Sequence, residues 1–109
     1  MELDPNRTVN ISIQVLPLVE DAYPIVDHAI ETIHSSGVKY EVGAMETVME
    51  GPLDDLLAIA KEAHLACFKA GAEKVVTLIK IGDDVSGTSI ESKVGKYRHS
   101  NGDEGNQTS

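Results

Sequence analysis

The chain has 109 residues, a single cysteine and a formal net charge of −9, from 18 acidic against 9 basic side chains. That length suits one domain with no need of a disulfide staple, and Cys67, with no partner in the chain, fits a reducing compartment. The acidic balance argues against a phosphate-binding surface for nucleic acid and raises the local concentration of cations.

Residues 1–7 read as a short polar lead, too polar for a secretory signal. The N-x-S/T triplets at Asn6, Asn10 and Asn106 are then chance matches. No apolar run approaches the roughly 20 residues of a membrane span, so the expected location is cytoplasmic. TVNISIQVL (8–16) alternates, with Val9, Ile11, Ile13 and Val15 on one face and Thr8, Asn10, Ser12 and Gln14 on the other. Pro17 ends this strand, since it has no amide to donate. The spacing predicts a helix from about Tyr23 to Ser36, with Asp21 as N-cap, Pro24 in the first turn and Gly37 just past the end. Its apolar stripe is Val26, Ala29, Ile30 and Ile33.

GVKYEVGAMETVMEG (37–51) reads as a hairpin. Val38, Tyr40 and Val42 share a face, Gly43-Ala44 turns the chain, and METVME (45–50) sets Met45, Thr47 and Met49 against Glu46, Val48 and Glu50. Gly51-Pro52 breaks the strand. A second helix is expected from about Leu53 to Ala70, striped by Leu53, Leu56, Leu57, Ala60, Ala63, His64 and Cys67, with Gly71 closing it. KVVTLIKI (74–81) makes a last strand. A short C-terminal helix is expected over 87–98, where Thr88 and Glu91 have capping-box spacing and Ile90, Val94 and Tyr97 share a face. Residues 99–109 hold no apolar side chain and read as a disordered tail.

The order β-α-β-β-α-β, with right-handed crossovers, places both helices on one face of an antiparallel sheet. This is an α+β, ferredoxin-like sandwich with expected strand order 4-1-3-2, occupying residues 8–98. The last strand is apolar on both faces, Val75, Thr77, Ile79 and Ile81 on one and Val76 and Leu78 on the other. A strand of that kind is seldom solvated on either side. The sheet face free of helices is therefore expected to close against other copies in a homodimer or homotetramer. Met45 and Met49 are assigned there as oligomer core, and Ser12, Gln14 and Thr47 as the polar groups left needing partners.

The segments SIQVLP, GVKYEVGAMETVMEG and GTSIESKVGKYR resemble the thiamine-binding protein family, small ferredoxin-like domains that include a tandem-domain binder of the hydroxymethylpyrimidine part of thiamine. The resemblance runs from about residue 9 to 98, and T-x-x-E-G (Thr47, Glu50, Gly51) is its most specific part. It implies an oligomer without known catalysis and a heterocycle seated between sheet and partner, with Thr47 as the leading contact and Gln14 next. A smaller polar residue stands at the Gln14 position in the tandem-domain member, so Gln14 narrows or refills the pocket. Thr and Gln side chains both donate and accept, matching an aminopyrimidine. For such a ligand Met45 and Met49 are expected to pack against the aromatic ring, Tyr40 to stack on a ring, and Glu50 or Glu41 to sit near the thiazolium cation. Ser12 completes the expected ligand-binding set.

Blander readings stand beside these. Thr47 suits any strand, Glu50 suits a helix start, and Tyr40 suits a half-buried packing position. His64 and Cys67 share a helix face but two ligands fall short of a zinc site, and no glycine-rich phosphate loop with its Lys-Ser/Thr occurs. Lys93, Lys96 and Arg98 form a small basic patch. No nucleophile–base pair or metal cluster suggests catalysis, so no catalytic residue, metal or cofactor is assigned. The alternative to ligand binding is an oligomeric structural or regulatory protein with no thiamine site.

Overall fold

Alternating side chains pair four strands into one sheet, and two helices with three- and four-residue apolar spacing cover one of its faces. The computed structural model describes residues 3–87 and residue 90. Apart from Gly87 and Ile90, the expected third helix and the tail lie outside the described residues, as do Lys93, Lys96 and Arg98. The elements are β1 (Thr8–Pro17), α1 (Tyr23–Ser35), β2 (Lys39–Val42), β3 (Thr47–Pro52), α2 (Leu53–Lys69) and β4 (Val75–Gly82). The sheet order is β2-β3-β1-β4 with every neighbour antiparallel, the expected ferredoxin-like order read from the other edge.

β1 sits centrally and sets the sides. Val9, Ile11 and Ile13 are buried beneath the helices, and across the ladder Ile11 faces Met49 and Ile13 faces Thr47. α1 adds Ile25, Ala29 and Ile33 to this core, and α2 adds Leu56, Ala60, Ala63 and Cys67. The stripe of α1 is therefore rotated from the expected one: Ile25 is buried while Val26 and Ile30 remain partly open. In α2, Leu57 faces outward at 38% exposure.

Local chemistry explains the boundaries. The N-cap of α1 is Ala22, with no side-chain cap, so the expected role of Asp21 is not fulfilled. Gly37 (φ 80°) and Gly71 (φ 113°) take the left-handed turn that ends each helix, a conformation costing an L-residue about 1–2 kcal/mol. The hairpin differs from expectation. The Gly43 N–H donates to the Glu46 carbonyl at 2.8 Å, so the turn consumes residues 43–46 and β3 starts at Thr47. At its other end Gly51 and Pro52 remain in the sheet, opposite Val9 and Thr8. Pro52 is tolerated as the last strand residue and the N-cap of α2. Gly51 packs closely, because a Cβ there would stand 3.3 Å from Leu56 Cδ2, which would have to give by a few tenths of an ångström, and at an ordinary 3.6 Å from Val38 Cγ2.

The polar lead is clamped to the end of β4. Arg7 Nε donates to Asp83 Oδ1 at 2.9 Å, and Nη2 donates to Oδ2 to complete a fork. This hydrogen bonding holds the Asp83 carboxyl below the usual aspartate range. A depressed carboxyl stabilises the fold above its unfolded-state pKa and loses that contribution as pH falls through its folded-state value.

Two outcomes follow from the packing. Leu56→Ala, at a fully buried position, lowers unfolding free energy by about 2–5 kcal/mol in urea titration. Arg7→Gln returns the Asp83 carboxyl toward the ordinary aspartate range, read by carboxyl NMR titration.

Candidate functional site

The same parity that builds the core hollows it at one end. Where the C-terminal half of β1, the start of β3 and the end of β2 meet α1, a cavity of about 140 Å³ opens beneath the 43–46 turn. Ile13 and Thr47 line it from the sheet, Val26, Ala29, Ile30 and Ile33 from α1, and Ala63 from α2, while Val42 to Glu46 form its rim. Alanines at three of these positions leave space that larger side chains would fill. Aliphatic side chains make the larger part of the wall, and polar atoms, those of Thr47 and Glu46 among them, make the rest. Thr47, only 5% exposed, contributes its hydroxyl-bearing side chain to the lining.

Thr47 thus lies on the helix side of the sheet, not on the free face where the sequence reading put it. Antiparallel partners point to the same side, and its partner Ile13 belongs to the core. Met49 is corrected likewise. It is 0% exposed beneath the helices and forms part of this chain's own core, not of an oligomer interface.

Ser12, Gln14 and Glu50 do lie on the free face, opposite Val48, Leu78 and Asn10 in the ladders. Gln14 borders the cavity, but its register sends its side chain to the other side of the sheet. The Ser12 hydroxyl is buried and finds no partner among the described residues. Glu50 accepts the Ile90 N–H at 2.7 Å and pairs with Lys39 at 3.7 Å, so it anchors the chain that follows β4. Tyr40, on the helix side opposite Met49, shares a 2.9 Å hydrogen bond with His34 Nδ1 and packs edge-on against that ring. Met45 is 73% exposed at the cavity rim.

The expected set is therefore split by the sheet. Thr47 and Met45 reach the cavity; Ser12, Gln14 and Glu50 do not direct their side chains into it; Tyr40 serves β2–α1 packing. Within T-x-x-E-G, Gly51 makes room for Leu56 and Glu50 holds Ile90, leaving Thr47 alone to face the hollow. The sequence reading missed the α1 contribution, since Val26 and Ile30 look like ordinary stripe residues, and it missed Glu46. Glu46 lines the rim and pairs with Lys80 at 3.2 Å across the free face.

The other reactive side chains have structural partners. Burial pushes the Cys67 thiol up and away from the nucleophilic thiolate. His64 Nδ1 is 2.6 Å from Thr77 Oγ1, tying α2 to β4. Among the described residues no three His, Cys, Asp or Glu side chains stand together as metal ligands, and no helix is long and apolar enough to cross a membrane.

Fold and cavity define a small ferredoxin-like domain with a ring-sized hollow between helix and sheet. The family model described as "Thiamine-binding protein" matches residues 11–98, and the chain belongs to that family. A UPF0045 protein of Clostridium perfringens is 50% identical over 93 residues, covering 84% of this chain and 98% of that protein. A Bacillus cereus structure, described as a DUF77 domain of unknown function, is 51% identical with TM-score 0.80, covering 85% of this chain and 92% of that one. A Thermotoga maritima structure, provisionally assigned to thiamine biosynthesis or salvage, is 39% identical with TM-score 0.77, covering 84% of this chain and 99% of that one.

Glu50→Ala leaves the part-buried Ile90 N–H without its acceptor. The expected cost is about 1–3 kcal/mol, read by urea titration, together with faster hydrogen exchange at the Ile90 amide.

Proposed function

We propose that this domain captures a thiamine-class ligand reversibly, without bond chemistry, by seating the aminopyrimidine ring in the cavity beneath the 43–46 turn. The observation that carries this reading is the mainly aliphatic hollow with Thr47 as its buried polar group. An aminopyrimidine offers ring-nitrogen acceptors and an amine donor, and a threonine hydroxyl can accept and donate. The aliphatic walls suit the faces of the ring, and Met45 at the rim suits its edge.

Size narrows the ligand. Sites that enclose drug-sized molecules run to roughly 300–1,000 Å³, so about 140 Å³ takes a single ring. The remainder of a two-ring ligand projects past Met45 and Glu46. There the acidic surface favours a thiazolium cation over a neutral or anionic group, which ranks thiamine and free hydroxymethylpyrimidine above thiamine phosphates. Glu46 is the one titratable side chain among the cavity-lining residues, and it is tied to Lys80.

Isothermal titration with thiamine and with hydroxymethylpyrimidine tests the reading. Saturable binding is expected for both. Thr47→Val, which keeps the shape but removes the hydroxyl, weakens it about tenfold or more, the equivalent of one lost hydrogen bond. Ala29→Leu fills the cavity and removes binding, while Ser12→Ala leaves it unchanged. No heat up to millimolar ligand, or equal affinity in Thr47→Val, overturns the proposal.

A further inference from the structure

One side chain at the mouth of the cavity serves two surfaces at once. Glu46 is among the residues lining the cavity, and its carboxylate also reaches Lys80 on the free face, with Nζ 3.2 Å from Oε1 and 3.4 Å from Oε2. The lysine holds it from a distance. β3 and β4 flank β1, so the Lys80 stem must span the central strand to reach the turn. A lysine held extended in this way gives up rotamer freedom, and its side chain is 73% exposed against 32% for Glu46. An ion pair of that kind contributes little net stability and is readily traded. The backbone of Glu46 is fixed independently, since its carbonyl accepts the Gly43 N–H and the next residue, Thr47, pairs with Val42. The carboxylate can therefore change partner while the turn keeps its shape. The two carboxylates that the family resemblance implies for a cation are not placed for this. Glu50 holds the Ile90 N–H and Lys39, and Glu41 is not among the lining residues.

We infer that Glu46 is the specificity-determining residue of the cavity mouth: it rests on Lys80 in the free protein and exchanges it for an organic cation carried one ring beyond the seated heterocycle, an inference that rests on the ring seating proposed above. A thiazolium is such a cation. It has no N–H to donate, so it meets the carboxylate through charge alone, and Lys80, once displaced, regains water and rotamer freedom. A neutral one-ring ligand leaves the Glu46–Lys80 pair as it is. The net charge of the whole surface favours any cation near the protein; Glu46 selects the one held at the cavity mouth. Lys80 is then a built-in competitor, and it sets how much affinity thiamine gains over hydroxymethylpyrimidine.

Isothermal titration of the full-length chain with hydroxymethylpyrimidine reads the seating of the ring, and titration with thiamine adds the cation. The ratio of the two affinities is the measure. Glu46→Gln is expected to lower thiamine's advantage about three- to fivefold, the scale of one exposed charge pair. Lys80→Gln is expected to raise it by a similar factor. In the Glu46→Gln background Lys80→Gln is expected to have no further effect, because Lys80 then has no carboxylate to occupy. Asp55→Asn, which removes an exposed charge from α2 outside the cavity lining, leaves the ratio unchanged. An unchanged ratio in Glu46→Gln overturns the inference, as does an equal fall in Asp55→Asn. So does an equal rise from Lys80→Gln with and without Glu46, which would make Lys80 a plain repulsive charge. Absence of hydroxymethylpyrimidine heat overturns the cavity reading and the inference with it, whereas retained heat with a flat ratio overturns the inference alone.

Discussion

The pairing of Ile11 with Met49 and of Ile13 with Thr47 is the constraint on which the rest of the molecule depends. Side chains alternate along a strand, so a slip of one residue would send every β3 side chain to the other face. The present register buries Met49 and Thr47 and leaves Glu46 and Glu50 where they can meet Lys80 and Lys39. The slipped register would bury two carboxylates beneath α1 and α2 without partners, at a far higher desolvation cost. The hairpin's charges therefore enforce the position of its threonine.

From that register come both the core and the hollow within it. Gly51 allows Leu56 to lie close to the sheet at one end of β3, where packing is tight. At the other end the chain turns away at 43–46, and Ala29 and Ala63 stop short of filling the gap beside Thr47. A few polar groups in a recess walled mainly by aliphatic side chains can orient a ring. In the proposed reading the acidic exterior acts later and less specifically, on whatever part of the ligand remains outside.

Most of the fold was legible in the sequence because each strand and helix carries a clear period, and the glycines after Ser36 and Ala70 mark real helix ends. The sidedness of Thr47 was legible too, though only through energetic comparison. Thr47 and Met49 form the less polar row of β3 and belong with the Val-Ile row of β1. The weight given to methionine as a surface for self-association led the other way. The turn boundary was harder to read, since Gly43-Ala44 carries no two-residue hairpin signal and the closing bond falls on Glu46. The cavity itself left no motif. It arises from small side chains at Ala29 and Ala63, which look in sequence like any tight helix contact. The apolar character of β4 and, through the expected order 4-1-3-2, its place at the sheet edge were both legible.

The central claim is that the ligand lies on the helix side of the sheet beside Thr47. Methyl NMR during titration with thiamine tests it most directly, because the two faces carry different reporters. The account predicts that Thr47, Ala29, Ile30 and Met45 methyl resonances shift together while Val48, Val76 and Leu78 stay in place. Shifts confined to Val48, Val76 and Leu78 would contradict it and return the site to the free face with Ser12 and Gln14.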